Sequence, residues 1–270
     1  MKDIVQIEEM AMSMRRKALE MAFDCGKNGS HLGGGLSAIE IFASLYGGVL
    51  NVDPKCPDNP LRDRMVVSKG HCVLAYYTAL WQAGFLSEND LKAFETNGSP
   101  FHGHATRNLS YGIEFSGGSL GQGLSFAVGV AMACKKKSLS SRVYALVGDG
   151  ECDEGIVWEA LMAAHNFRLD NFTVVIDCNG LQYDGQTDEV MNMSPLSKKL
   201  SSFGFLVNEV DGHDCKSLLA ALKKHSEGMP MAIIAHTVKG KGVSFMENRK
   251  EWHHSILTED QYKQAQTEQE

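Results

Sequence analysis

A largely apolar run, Val143 to Val147, ends in Gly148-Asp149-Gly150, and the next, Phe172 to Asp177, runs on into Cys178-Asn179-Gly180-Leu181. Asp149 and Asn179 stand 30 residues apart, so one strand–helix–strand unit delivers both to the same edge of a sheet. A carboxylate, an amide oxygen and a free backbone carbonyl form a hard oxygen set suited to Mg2+ or Ca2+. Two phosphate oxygens and a water would complete an octahedron around Mg2+. Glycines at 148 and 150 let the backbone turn sharply and approach a phosphate closely. The plainer alternative makes Asp149 a cap for a helix beginning near Gly155, but a cap needs no second ligand at Asn179. His71 follows Gly70 where a strand-like run turns into a helix, so its ring can face a phosphate at a helix N-terminus.

The elements that must position these residues follow from apolar periodicity. Ile4 to Cys25 reads as a helix, broken by Gly26 to Ser30. A turn at Gly33-Gly34-Gly35 opens a second helix through Ile39, Ile41, Phe42 and Leu45. Arg64 to Val67 is strand-like and ends at Ser68-Lys69-Gly70-His71, before a helix through Tyr76, Leu80 and Trp81. Asn97 to Gly118 carries few periodic signals, and a loop of that length inside a compact domain is usually functional. From Arg142 onward strands and helices alternate: strand 143–147, helix 155–167, strand 172–177, helix 196–202, strand 206–210, helix 216–225 and strand 231–236. That order predicts an α/β fold, a mostly parallel sheet flanked by helices. Ligands on such sheets bind beyond the carboxyl ends of the strands.

The 270 residues are 43% hydrophobic and 22% charged, enough core for a single cofactor-holding domain spanning 1–270. The charged tail 261–270 is expected to fray. A net charge of −7 with scattered basic residues argues against nucleic acid; Lys135 to Lys137, the longest basic run, reads as a solvated helix end. Seven cysteines occur without a CxxC pair, which argues against disulfides and structural zinc. Charges interrupt Met1 to Ala22, unlike a signal peptide, and no apolar run approaches the roughly 18 residues a membrane span requires. The expected location is cytoplasmic.

Gly148-Asp149-Gly150 with Asn179 resembles the signature of thiamine-diphosphate enzymes. The wider sequence resembles transketolases from Gly29 to His253, through Ser30-His31, Asp63 to His71, Gly118 to Gly123 (GSLGQG), Val147 to Ala160 (VGDGECDEGIVWEA), Asp177 to Gly185 and Ala235 to His253. The resemblance implies a thiamine-diphosphate-binding fold, with Asp149, Asn179 and the Leu181 carbonyl holding Mg2+ (or Ca2+) on the cofactor diphosphate. It implies diphosphate contacts from Gly150 and His71, a cofactor-lining loop at Gly118, Ser119 and Leu120, and a place in the cofactor set for Glu151. Lys239 and His253 match residues near cofactor and substrate. His31, His104 and His253 are implied for sugar hydroxyls and proton transfer, which neutral histidines with pKa values near operating pH suit. His102 could mimic His104, but the Gly103-His104 pair fits the family pattern better, and His165, His213 and His225 read as ordinary hydrogen-bonded residues. Glu154 matches an acidic residue coupling cofactor sites across a dimer; its alternative is a first-turn helix carboxylate.

Leu32, Gly34 and His254 depart from the family pattern, and His254 stands where a glycine is usual. The domain that would supply the activating glutamate for the cofactor's aminopyrimidine ring has no counterpart here. The expectation is therefore the N-terminal subunit of a split transketolase, acting on sugars or sugar phosphates with a C-terminal partner subunit in an α2β2 heterotetramer. The competing readings are a deoxyxylulose-phosphate synthase-like or 2-oxoacid dehydrogenase-like subunit, and a non-catalytic scaffold, for which a complete metal site would be needless. A nucleotide-binding module lacks support, because neither Gly118 to Gly123 nor Lys239 to Gly242 has the required spacing.

Overall fold

The computed structural model describes residues 1–270. The first helix, α1 (Ile4–Asp24), starts at a capping box in which Asp3 accepts from the Gln6 N–H at 2.9 Å and Gln6 returns the bond at 3.0 Å. The single helix expected next is two, α2 (Leu32–Leu36) and α3 (Ile39–Gly48). The break falls at Ser37 and Ala38. Ala38, at φ −97° and ψ 2°, leaves helical geometry, and the Ser37 hydroxyl is held by a partner in the sheet described below. Then come β1 (Arg64–Val67), α4 (Val73–Gln82), α5 (Glu88–Lys92), α6 (Gln122–Lys136) and β2 (Val143–Gly148). They are followed by α7 (Gly155–Asn166), β3 (Phe172–Cys178), α8 (Thr187–Val190), α9 (Leu196–Ser202), β4 (Leu206–Asp211), α10 (Cys215–Leu222), β5 (Met231–His236) and α11 (Glu259–Thr267).

All five strands run parallel in the order β1-β2-β3-β5-β4. Side-chain alternation sorts the strands into two cores. Met65, Tyr144, Leu146, Val175 and Ile233 face α1, α3, α4 and α10, while Val66, Ala145, Val147, Val174 and Ile234 face α6, α7 and α9. The four strands other than β4 are therefore near-continuous apolar runs, as a sheet covered on both faces requires. The edge strand β4 is half exposed and carries Asn208 and Glu209, which blunts it against pairing with another chain.

Register brings the chemistry to one edge. Gly148 pairs with Asp177 and Cys178 with His236, so the segments after β2, β3 and β5 leave the sheet side by side. The helix α6 is not legible from apolar periodicity because its buried face is mostly small: Gly123, Ala127 and Ala131 beside Leu124 and Val128. That smallness has a cause. A Cβ on Gly123 would stand 2.6 Å from Ser68 Cα, so only glycine lets α6 reach the end of β1.

The tail expected to fray is corrected by α11. Thr258 caps it through a capping box with Gln261, Ala265 is fully buried, and the Tyr262 ring stacks on Phe23 at 4.4 Å. Its exposed face is as charged as the sequence indicates; its docking on α1 was not legible. No helix is long and apolar enough to cross a membrane. Native-state hydrogen exchange should show protected amides across 262–268, and exchange there at random-coil rates would refute the docked helix.

Candidate functional site

The carboxyl ends of β1, β3 and β5 close around one buried ion pair. Lys69, two residues past β1, and Asp177, within β3, are 1% and 0% exposed in their side chains, with Nζ 2.5 Å from Oδ2. Ser37 donates to the same oxygen at 2.7 Å, and Thr237, just past β5, donates to Oδ1. Burial alone would raise the Asp177 carboxyl, but the Lys69 charge and these bonds outweigh it and hold it below the ordinary range. Burial would also discharge Lys69; Asp177 reverses that and raises it. Four chain segments are thus tied at one point beneath the sheet edge.

Beside that pair lies Asp149. Its carboxylate oxygens accept from the Gly150 N–H at 2.9 Å and the Gly180 N–H at 2.6 Å, which stitches the loop after β2 to the loop after β3. Burial, then the Asp177 charge, push the Asp149 carboxyl up to about 6. This is a buried carboxylate short of positive charge, which a cation would relieve. Asn179 Oδ1 accepts from the Leu181 N–H at 3.1 Å. The Leu181 carbonyl, expected to be free, accepts from Lys239 Nζ at 3.1 Å, although a carbonyl keeps a second lone pair. No group of three or more His, Cys, Asp or Glu side chains is placed to hold a metal ion. A cation here would rest on the Asp149 carboxylate, on amide and carbonyl oxygens, and on oxygens brought by a ligand. That donor set fits a hard ion on a diphosphate.

A cavity of about 370 Å3 opens above these groups, bordered by Asp149, Gly150, Asn179 and Leu181 on one side and His31, His71, His104 and His253 on the other. The four histidines form one cluster, with His31 5.9 Å from His71, 5.1 Å from His104 and 5.6 Å from His253 between ring centroids. Gly34 makes room for it, since a Cβ there would meet His71 Cδ2 at 2.8 Å. Lys239 Nζ lies 3.0 Å from His253 Nδ1. Burial first, then neighbouring positive charge, lower His253 to about 4 and Lys239 to about 8. Burial and the other histidines lower His31 to about 3, and burial and Lys69 hold His71 well below its ordinary value. His104 is lowered by burial as well. The expectation of histidines titrating near neutrality is therefore corrected for the chain by itself. They are neutral donors and acceptors, suited to binding hydroxyls more than to taking protons.

The remaining sequence-derived residues are placed as follows. Gly118 and Leu120 line the cavity, whereas Ser119 is exposed and does not. Glu151 borders it but spends its carboxylate inward, accepting from Ser68 Oγ, from the Gly121 N–H at 2.7 Å and from the Gly148 N–H at 3.0 Å. Glu154 stands at the rim, at the N-cap of α7, without a side-chain cap bond. Sequence reasoning missed the Lys69–Asp177 pair with Ser37 and Thr237; a charged residue ending the apolar run Val174-Val175-Ile176 was the available signal. His213 is the hydrogen-bonded residue expected: its Nε2 accepts from the Val238 N–H at 2.8 Å beside Lys239, while Nδ1 lies 2.9 Å from Glu40.

The family model for the transketolase thiamine diphosphate binding domain matches residues 8–269. The chain belongs to the transketolase family. It is 40% identical to one of the subunits of the apulose-4-phosphate transketolase of Actinobacillus succinogenes, over 96% of this chain and 94% of that one. It is 39% identical to the 6-deoxy-6-sulfo-D-fructose transketolase subunit SqwG of Clostridium sp. (strain MSTE9), over 98% and 97%. Its fold superposes on the crystal structure of transketolase from Campylobacter jejuni with a TM-score of 0.90 at 31% identity, over 99% of this chain and 43% of that chain. The chain thus spans about the full length of the two subunits and about two fifths of the solved transketolase.

In this transketolase-family chain the ion pair beneath the cavity generates a stability prediction. Lys69→Ala leaves Asp177 charged and buried, and should cost about 3–5 kcal/mol in denaturant unfolding. Lys69→Ala with Asp177→Ala should cost less than the sum of the two single variants. A double variant whose cost equals that sum would show the pair is not coupled.

Proposed function

We propose that this chain holds the diphosphate and divalent metal of thiamine diphosphate and acts as the N-terminal subunit of a two-chain transketolase. With a partner chain it transfers a two-carbon ketol unit from a ketose or ketose phosphate to an aldose acceptor. The observation that carries this reading is the single cavity that joins a hard-oxygen set at Asp149 and Asn179 to four neutral histidines. Asp149, Asn179 and the Leu181 carbonyl would hold Mg2+ or Ca2+, with Gly150 and His71 against the diphosphate. Gly118, Leu120, Glu151 and Lys239 are assigned to the surrounding cofactor site, Glu151 by fixing the loop after β2; Ser119 is left out of that set because it lies outside the cavity. Bound thiamine diphosphate would supply the carbanion stabilisation that cleavage beside a ketose carbonyl demands.

His31, His104 and His253 are assigned to sugar hydroxyls, each offering one donor and one acceptor nitrogen in its neutral form. Lys239, 3.0 Å from His253 Nδ1, fixes which ring nitrogen faces the cavity. Glu154, at the rim, is assigned to coupling between cofactor sites in the assembled enzyme. Relatives of similar length that are themselves named as single subunits of a transketolase support a partner chain, and an α2β2 heterotetramer is the symmetric arrangement that follows. Tyr183, 69% exposed at the cavity, with Val190 and Met191 on the neighbouring segment about half exposed, supports a covering partner. A cytoplasmic location accords with free, mostly buried cysteines.

The decisive assay is ketol transfer by the chain alone and then with its partner. Activity should require both chains, and Asp149→Ala should abolish cofactor binding in the complex; turnover by the single chain would sink the two-chain reading.

A second expectation concerns pH. Metal binding needs the Asp149 carboxylate, which in the chain alone holds its proton up to about 6. Affinity for magnesium thiamine diphosphate should be steady near pH 7 and fall as pH drops through 6, approaching about tenfold per unit. Calorimetry on the complex giving a flat profile between about pH 7 and 5 would overturn Asp149 as the ligand.

A further inference from the structure

The Lys239 ammonium donates to the Leu181 carbonyl at 3.1 Å and lies 3.0 Å from His253 Nδ1, and both of those residues belong to the cavity wall. Its backbone is tied on both sides. The Lys239 carbonyl accepts from the Asn248 N–H at 2.9 Å, and the Gly240 N–H donates to the Gly33 carbonyl at 3.0 Å. Two further bonds come from side chains. The Val238 N–H donates to His213 Nε2 at 2.8 Å, and Arg15 Nη1 donates to the Lys241 carbonyl at 2.9 Å. Those two side chains meet at Glu40, which accepts from Arg15 Nη2 and lies 2.9 Å from His213 Nδ1.

Arg15, Glu40 and His213 are largely withdrawn from solvent, at 7%, 12% and 14% side-chain exposure, and none of them borders the cavity. Two glycines bring them into place. A Cβ at Gly212 would stand 2.4 Å from Thr237 Cγ2, so glycine lets the turn after β4 lie against the segment after β5. A Cβ at Gly242, which sits at φ +87°, would meet Arg15 Cδ at 2.8 Å. The bonds also fix which nitrogen of His213 carries its proton. A backbone N–H only donates, so Nε2 is the accepting nitrogen, and Nδ1 carries the proton and donates to Glu40. Burial alone would raise the Glu40 carboxyl, but the Arg15 charge and the His213 bond outweigh it and hold it below its ordinary value. Glu40 therefore stays a charged acceptor, and an outer carboxylate of this kind locks the orientation of the ring it holds.

We propose that His213, oriented by Glu40 and Arg15, is a positioning residue for the cofactor site: from outside the cavity it sets the Lys239 ammonium against the Leu181 carbonyl and His253. The assignment deepens the cofactor reading above and rests on it for the use made of Lys239. The placement of the ammonium is a property of the chain alone. A purely structural role for His213 would loosen the fold in general, whereas a positioning role moves Lys239 in particular.

The test combines NMR on the full chain with calorimetry on the two-chain complex. Burial lowers Lys239 to about 8, so near neutral pH it is an ammonium, and a buried, bonded ammonium gives a slowly exchanging signal, here with a cross-peak to the His253 ring. The Val238 amide should show a coupling across its hydrogen bond to His213 Nε2. His213→Asn keeps a donor for Glu40 but is too short to reach Val238, whereas His213→Gln carries an acceptor out to the Nε2 position. The Lys239 signal should disappear in His213→Asn and persist in His213→Gln. Affinity of the complex for magnesium thiamine diphosphate should fall about tenfold to a hundredfold in His213→Asn and stay within about threefold in His213→Gln. Leu161→Ala, in the core on the other face of the sheet, destabilises the fold without touching this network and should leave the Lys239 signal in place. No Val238–His213 coupling in the wild-type chain would overturn the assignment. So would loss of the Lys239 signal in His213→Gln or Leu161→Ala, or an unaltered signal or cofactor affinity in His213→Asn. A wild-type complex that binds no cofactor would instead sink the cofactor reading, and the Lys239 and Val238 signals decide the positioning without it.

Discussion

The buried pair of Lys69 and Asp177 is the constraint on which the cavity depends. Each charge alone would be costly at that depth, since desolvation of an isolated ion outweighs any packing gain. Together, with Ser37 and Thr237 completing the carboxylate's bonds, they join the end of β1, the end of β3, the residue after β5 and the turn before α3. Every side chain assigned to the metal lies within a few residues of one of those points or is bonded to a loop that does. Asp149 stands beside the pair, and its raised carboxyl reflects the Asp177 charge as well as burial. The pair therefore shapes Asp149 electrostatically as well as fixing the loops around it.

A second consequence is a cavity that resists positive charge among its histidines. Lys69 and Lys239 both lower His253, and Lys69 lowers His71, beyond the effect of burial. The rings remain neutral, so each offers a fixed pattern of one donor and one acceptor. That pattern suits recognition of polyhydroxylated ligands, where orientation of many weak bonds gives selectivity. Lys69 is balanced by Asp177, whereas Lys239 meets the Leu181 carbonyl and the His253 ring rather than a carboxylate.

Sheet architecture explains why one chain can present so much of a site and still leave it open. Parallel strands with covered faces leave only the carboxyl edge for ligands, and here β1, β2, β3 and β5 all contribute to it. The edge faces outward through Tyr183 and the segment of Val190 and Met191. A surface completed by another chain gains its binding energy from such half-exposed apolar groups.

Much of this was legible in the sequence. The apolar runs gave β2, β3 and β5 nearly to the residue because strands covered on both faces must be apolar throughout. The separation of Asp149 and Asn179 placed both at one edge because a strand–helix–strand unit returns the chain parallel to itself, so both segments leave the sheet at its carboxyl end. Apart from His71 at its strand-to-helix turn, individual histidines could be singled out only through the family resemblance, since a lone histidine carries no periodic signal. Tertiary structure alone decided the rest. The small face of α6 hides its helical period, and α11 docks through Tyr262 and Ala265 on a helix more than two hundred residues away in sequence. Lys69 with Asp177, the use of Leu181's carbonyl by Lys239, and the inward turn of Glu151 toward Ser68 and Gly121 all join residues far apart in the chain. So do the lowered histidines, whose protonation is set by burial and by charges from other loops. Local sequence determines which elements form, because propensity and period act over a few residues. Which polar groups meet in the interior depends on long-range packing, and that packing determines what the cavity can bind.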